Sequence, residues 1–192
     1  MVDEDLLKAA EDLARASLSE KRYAHVQGVA DTAETLARQH DLPPRKTRLA
    51  ALLHDVSRES SPDELLAAAQ RHGIELDDFT ADRPMLLHGP VAAEAARREL
   101  GIKDPEILEA VRFHTTGAPR IGPLAIAVYV ADKIEPSRDY PSVEKLRNLA
   151  QKDLHEAAAS ILRATHAHNK NKGNPTHPDS RRMLAWLEGP ER

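Results

Sequence analysis

Leu49-Ala50-Ala51-Leu52-Leu53-His54-Asp55 is the stretch on which the reading of this chain turns. An unbroken apolar run predicts the last turns of a buried helix, and two metal-binding side chains follow it on adjacent residues. A helix sets side chains at i and i+1 about 100° apart, so both reach one ion only from a helix edge or end. The C-terminus of a helix also carries partial negative charge, which favours a cation there. A bare His-Asp pair is better read as a capping aspartate beside a half-buried histidine. The rest of the chain therefore has to decide.

Pro43-Pro44 marks the start of that helix. Before it, residues 3–18 place Leu6, Leu7, Ala10, Leu13, Ala14 and Leu18 at helical spacing, with Asp3 as cap. A second helix is expected from Ser19 to about Gln39, burying Val26, Val29, Ala33, Leu36 and Ala37. It carries His25, with Arg22 at i−3 on the same face and Gly28 at i+3 leaving that face open to close approach. After His54-Asp55, Ser61-Pro62-Asp63-Glu64 is a capping box and Gly73 a stop signal. Residues 74–84 read as a loop. Helix resumes from Pro84 to Leu100 with an interruption around His88-Gly89-Pro90, and Asp104-Pro105-Glu106 caps a helix ending at His114. Residues 122–135 form an apolar helix with Asp132 near its end; its β-branched content leaves a strand open, but its helical neighbours favour helix. A helical region from Ser142 to about His168, with a break near Gln151, a polar loop over 169–178 and a last helix with Met183, Leu184 and Leu187 inward complete an all-α prediction.

Composition narrows the function. The 192 residues are 41% hydrophobic and 30% charged, as in soluble globular proteins, and only 3% aromatic, so Leu, Ile, Val and Ala must build the core. A net charge of −4 leaves no whole-chain footprint for a nucleic-acid polymer or a membrane surface. Without cysteine, any metal ligands are histidines and carboxylates. The acidic N-terminus, Met1-Val2-Asp3-Glu4-Asp5, has no signal-peptide pattern, and the longest apolar stretch, Leu124–Ala131, is too short to span a bilayer. A cytoplasmic protein is expected.

Six ionisable residues stand at helix ends or on apolar helices: His25, His54, Asp55, His88, His114 and Asp132. Four imidazoles with two carboxylates suit iron, manganese or zinc better than calcium or magnesium. They come from five separate helices, so only a bundle converging on one point unites them. A carboxylate within Ala125–Asp132 is costly to bury unless paired or ligated, which makes Asp132 informative. His40, His72 and His155 fall on polar faces or ends, His166 and His168 flank a helix end, and His177 lies in a loop.

His25, His54-Asp55 and Asp132 resemble the pattern of the HD-superfamily phosphohydrolases. Leu86-Leu87-His88-Gly89-Pro90-Val91, His114-Thr115-Thr116-Gly117 and Ala131-Asp132-Lys133-Ile134-Glu135-Pro136-Ser137-Arg138 are similar to one branch, the YqeK family of bacterial symmetrical bis(5′-nucleosyl)-tetraphosphatases. The resemblance runs from about Arg22 to Trp186. Ser142 departs from a usual glycine, and residues 164–172 are more polar and His-rich than is usual for the family.

The resemblance implies one HD-type domain over residues 1–192, with a core at about 19–140 and C-terminal helices 142–188 packed on it. It implies metal-dependent splitting of diadenosine tetraphosphate into two ADP, with Asp55, His88 and His114 as catalytic residues. His25, His54, Asp55 and Asp132 would hold a first metal. His88 and His114 would bind a second with Asp55 bridging, or else contact phosphate directly. Iron is the first choice of metal, as one or two ions, with manganese or another transition metal as alternatives. Arg22, Arg58, Thr115, Thr116 and Arg138, with His88 and His114, are the substrate-binding candidates, and arginine suits phosphate because its fork binds it bidentately. The loop Lys172–His177, with Gly173 and His177, is expected to close over the nucleotide. An oligomer is compatible with the family. Two other readings are a deoxynucleoside monophosphate nucleotidase of the HD class, which needs only one metal, and a non-catalytic nucleotide-binding module.

Overall fold

Capping chemistry sets most of the helix starts in the computed structural model, which describes residues 2–189. The Asp3 side chain accepts from the Leu6 amide and opens α1, Glu4–Ser17; Ser19 does the same for Arg22 and opens α2, Glu20–Gln39. Proline in the first turn starts α3, Pro44–Leu53, which ends at His54. The Ser61/Glu64 capping box opens α4, Pro62–His72, and Gly73 ends it in the left-handed region. Beyond lie α5, Asp78–Ala81, then a 3₁₀ turn, Pro84–Leu87, and α6, His88–Glu99. Asp104 caps α7, Pro105–Phe113, which precedes α8, Pro123–Ile134. Last come α9, Val143–Ala150, α10, Leu154–Asn171, and α11, Pro178–Leu187. No strand occurs among the described residues.

Three expectations from the sequence need correction. Residues 74–84 contain α5, because the Asp77 side chain caps the Thr80 amide at 2.7 Å. The interruption before α6 falls at the 3₁₀ turn rather than over His88-Gly89-Pro90, since a first helical turn accepts both glycine and proline. Helix α10 continues to Asn171, so the following loop is shorter than predicted and His166 sits within the helix, its Nε2 3.0 Å from Ser180 Oγ. Leu184, expected inward, packs against the core and is partly buried.

Helix α8 runs through the middle of the bundle, with 10 of its 12 residues buried. Being apolar on every side, it must be covered on every side. It is packed by α2, α3, α7, α9 and α10. Alanines at 30, 33, 50, 51, 127 and 131, all fully buried, let these helices approach closely. Helix α1 lies against α3, and α11 against α10. Leu65, Ala69, Leu87 and Val91 form a smaller apolar cluster joining α4, the 3₁₀ turn and α6. No helix among the described residues is long and apolar enough to cross a membrane.

Candidate metal centre

All six residues singled out by their placement converge in one buried cluster. His54 and His114 are the C-cap residues of α3 and α7, and His88 caps the 3₁₀ turn while opening α6. Asp132 lies in the last turn of α8, and His25 alone comes from mid-helix, on α2. The carbonyls at helix C-termini lack intrahelical partners. The three terminal histidines use them: Nδ1 of His54, His88 and His114 lies 2.6, 2.5 and 2.8 Å from the carbonyls of Ala51, Met85 and Val111. Each such bond places the proton on Nδ1 and leaves Nε2 as a lone pair facing the cluster. Gly89 makes the meeting of α6 and α7 possible, because a Cβ there would lie 2.6 Å from the Arg112 carbonyl.

Asp55 joins two halves. Its Oδ2 lies 3.6 Å from His54 Nε2 and 3.9 Å from His25 Nε2; its Oδ1 lies 3.4 Å from His88 Nε2 and 3.5 Å from His114 Nε2. His25, His54 and Asp55 thus form one triad and Asp55, His88 and His114 a second, the donor atoms of each within 4.8 Å of one another. Asp132 Oδ1 stands 3.1 Å from His25 Nε2. His25 Nε2 and His54 Nε2 are buried without a hydrogen-bond partner. Orphaned polar atoms of this kind are rare in folded interiors. A nitrogen-rich, carboxylate-bridged donor set with two such atoms fits divalent transition metals.

Electrostatics support ligand-ready protonation states. Burial opposes charge on Asp55, but the neighbouring imidazoles of His54, His114 and His88 outweigh it and hold the carboxyl far below its ordinary range. Burial likewise opposes charge on Asp132, which Lys133 and His25 overcome. Burial drives His114 down to about 4, so its ring is neutral near pH 7 and its lone pair is available.

The expected substrate-binding residues are distributed unevenly. Arg22 Nη1 reaches Asp55 Oδ2 at 3.2 Å, and Arg138 bonds Asp132. Both line a cleft of about 610 Å³ with Lys21, His25 and Ser137. Thr115 Oγ1 lies 3.0 Å from His88 Nε2 and 2.9 Å from His114 Nε2. Thr116 and His177 face another cavity, about 350 Å³, with Leu86, Leu87, Pro90 and Phe113 in its wall. Arg58 sits in the turn after Asp55, partly buried, but lines neither space. Gly173 ends α10 at φ +69° on the exposed side of the loop. Reasoning from spacing missed Glu135, whose Oε1 lies 3.1 Å from His25 Nδ1. The rule that picked out Asp132, a carboxylate at the end of an apolar helix, applied equally three residues later.

Residues 22–137 match the family described as HD domain. The chain is 38% identical over 168 residues to the symmetrical bis(5′-nucleosyl)-tetraphosphatase of Halalkalibacterium halodurans (88% of this chain, 89% of that one). It is 35% identical over 175 residues to the Bacillus subtilis (strain 168) protein of the same name, covering 90% and 92%. A solved structure from Clostridium acetobutylicum, titled a "predicted HD superfamily hydrolase involved in NAD metabolism", superimposes with a TM-score of 0.91 at 33% identity, covering 94% and 95%. An HD match over most of the chain, with such identity along nearly the full length of both relatives, shows that this chain belongs to the HD-domain family, in its symmetrical bis(5′-nucleosyl)-tetraphosphatase branch.

Proposed function

We propose that this protein hydrolyses diadenosine tetraphosphate, and related dinucleoside polyphosphates, symmetrically to two ADP. The observation that carries the reading is the pair of His/Asp triads sharing Asp55, beside a cleft carrying Lys21, Arg22 and Arg138 and a second cavity of mixed polar and apolar lining. His25, His54, Asp55 and Asp132 would hold one divalent ion, and Asp55, His88 and His114 a second, with iron the first choice. When bound, such ions supply Lewis acidity, bring the pKa of water towards neutrality and neutralise phosphoryl charge.

The chain's own groups do the rest. Asp55, kept ionised, and His114, kept neutral, stay ready to ligate at neutral pH. Arg22, Lys21 and Arg138 bring positive charge to a net-negative molecule along the cleft where the polyphosphate would lie. The Thr115 hydroxyl, within 3.0 Å of the Nε2 atoms of His88 and His114, is placed to donate to one of them and steady the pair. The cavity walled by Leu87, Phe113 and His177, with Glu75, Asp77 and Asp179 also in its wall, would take a nucleoside. Water adds to one of the two central phosphorus atoms while the bond from that atom to the central bridging oxygen breaks. The departing ADP keeps the bridging oxygen, and water supplies the new oxygen of the other ADP.

Chromatography of the products tests this. ADP as the sole nucleotide product is expected; AMP with ATP would mean asymmetric cleavage and overturn the reading.

A further inference from the structure

Three of the four histidines in the centre are oriented by the backbone, and the fourth is not. His54, His88 and His114 stand where helical turns end, and each leans on a carbonyl three residues earlier. His25 sits inside α2, where the carbonyls are already engaged in the helix. An imidazole there needs a side-chain partner to fix its tautomer and ring plane. That partner is Glu135, with Oε1 3.1 Å from His25 Nδ1.

Glu135 is itself held on both oxygens. The Ser137 amide donates to Oε2 at 2.7 Å, and the Ser137 hydroxyl donates to Oε1 at 2.5 Å. The side chain is 2% exposed, so its charge is not spent on solvent. Helix α8 and its C-cap thereby present two carboxylates to the two sides of one ring: Asp132 3.1 Å from Nε2 and Glu135 3.1 Å from Nδ1. Gly28, one turn along α2 from His25, gives Glu135 its room, because a Cβ there would stand 2.9 Å from Oε2.

We propose that Glu135 is a positioning residue that orients His25 as a ligand, with Gly28 as the gap that admits it. This rests on the metal centre proposed above. A carboxylate behind a ligating imidazole fixes the tautomer, and losing such a partner typically weakens metal affinity 10- to 100-fold. Bound metal should therefore depend on a residue that never touches it.

The test is titration of Mn²⁺ into chelator-stripped, full-length wild type, Glu135→Gln, Glu135→Ala and Gly28→Ala, with ¹⁵N NMR of the His25 ring and metal-free melting curves. Both Glu135 variants are expected to bind Mn²⁺ roughly 10- to 100-fold more weakly. Gly28→Ala should weaken binding in the same direction, although helix propensity favours alanine over glycine. The His25 ring should change from a defined Nδ1–H form to a tautomer mixture in Glu135→Ala, with metal-free melting of Glu135→Gln within about 3 °C of wild type. Wild-type affinity in both Glu135 variants overturns the proposal, as does loss of affinity matched by collapse of the metal-free fold in every variant. A wild type that takes up no Mn²⁺ overturns the metal centre itself, and this role with it.

Discussion

Arg138 holds Asp132 at two points: its Nε donates to the Asp132 carbonyl at 2.8 Å and its Nη2 to the carboxylate Oδ1 at 2.7 Å. The sequence placed Arg138 as a phosphate clamp, whereas this geometry also makes it the guardian of a buried carboxylate. Its side chain remains about one-third exposed, along the cleft it shares with Lys21 and Arg22. One guanidinium can steady Asp132 and face an incoming polyphosphate because its five donors point in several directions.

Arg138→Ala should therefore lower kcat/KM roughly 10- to 150-fold, the equivalent of about 1.5–3 kcal/mol for hydrogen bonds to charged groups. Thermal stability should fall as well, since Asp132 loses a partner while staying buried. Steady-state kinetics and a melting curve check both, and unchanged kinetics would leave Arg138 no role beyond holding Asp132.

Asp55→Ala should abolish turnover and empty both metal positions together. The reason is geometric: Oδ2 faces His54 and His25 while Oδ1 faces His88 and His114. Elemental analysis of purified variant and wild type measures it. Retention of half the metal would exclude Asp55 as the bridge.

His114→Ala separates the second position from the first. Its Nε2 belongs to the triad with His88, not to the triad with His25. Bound metal should drop from about two ions per chain towards one, and activity should collapse while the chain stays folded. Unchanged metal content with weaker substrate handling would instead assign His88 and His114 to phosphate contact. A wild type holding a single ion after full loading would defeat the two-ion site.

Asp104 gives a pH-dependent contribution away from the centre. It caps α7 and lies 2.7 Å from Lys46 on α3. Burial pushes its carboxyl up, but the Lys46 bond and the amides of Glu106 and Ile107 outweigh that and leave it below the ordinary value. A depressed folded value means stabilisation that is present above the unfolded pKa, near 3.9, and lost as pH falls through the folded one. Asp104→Ala should cost about 1 kcal/mol at pH 7, the usual loss for an N-cap. The gap from wild type should narrow over the acidic range below the unfolded pKa. Denaturant melts across that range provide the check, and a constant gap would show that the cap works without its charge.

Helix starts were legible in the sequence because capping is local chemistry. Asp3, Ser19, Ser61 and Asp104 each bond an amide two or three residues on, whatever the rest of the chain does. The same locality exposed His54-Asp55 and Asp132, polar residues that apolar helices do not carry without reason. The short helix after Asp77 was missed because a four-residue helix has too few positions to show a period. The true end of α10 was missed because its last turns, His166 to Asn171, face solvent and carry no apolar stripe.

What only the tertiary structure decided is which atoms meet. Spacing predicted that five helices would have to converge, but not that Asp55 would turn one oxygen to each pair of histidines, nor that Thr115 would lie between His88 and His114. It took Gly28 for a proximity signal beside His25 without naming the neighbour, which is Glu135, 107 positions along the chain. The physical reason is range: capping, periodicity and the cost of burying charge act within a few residues. The partners of a buried side chain are set instead by how α2, α3, α7 and α8 pack around one another.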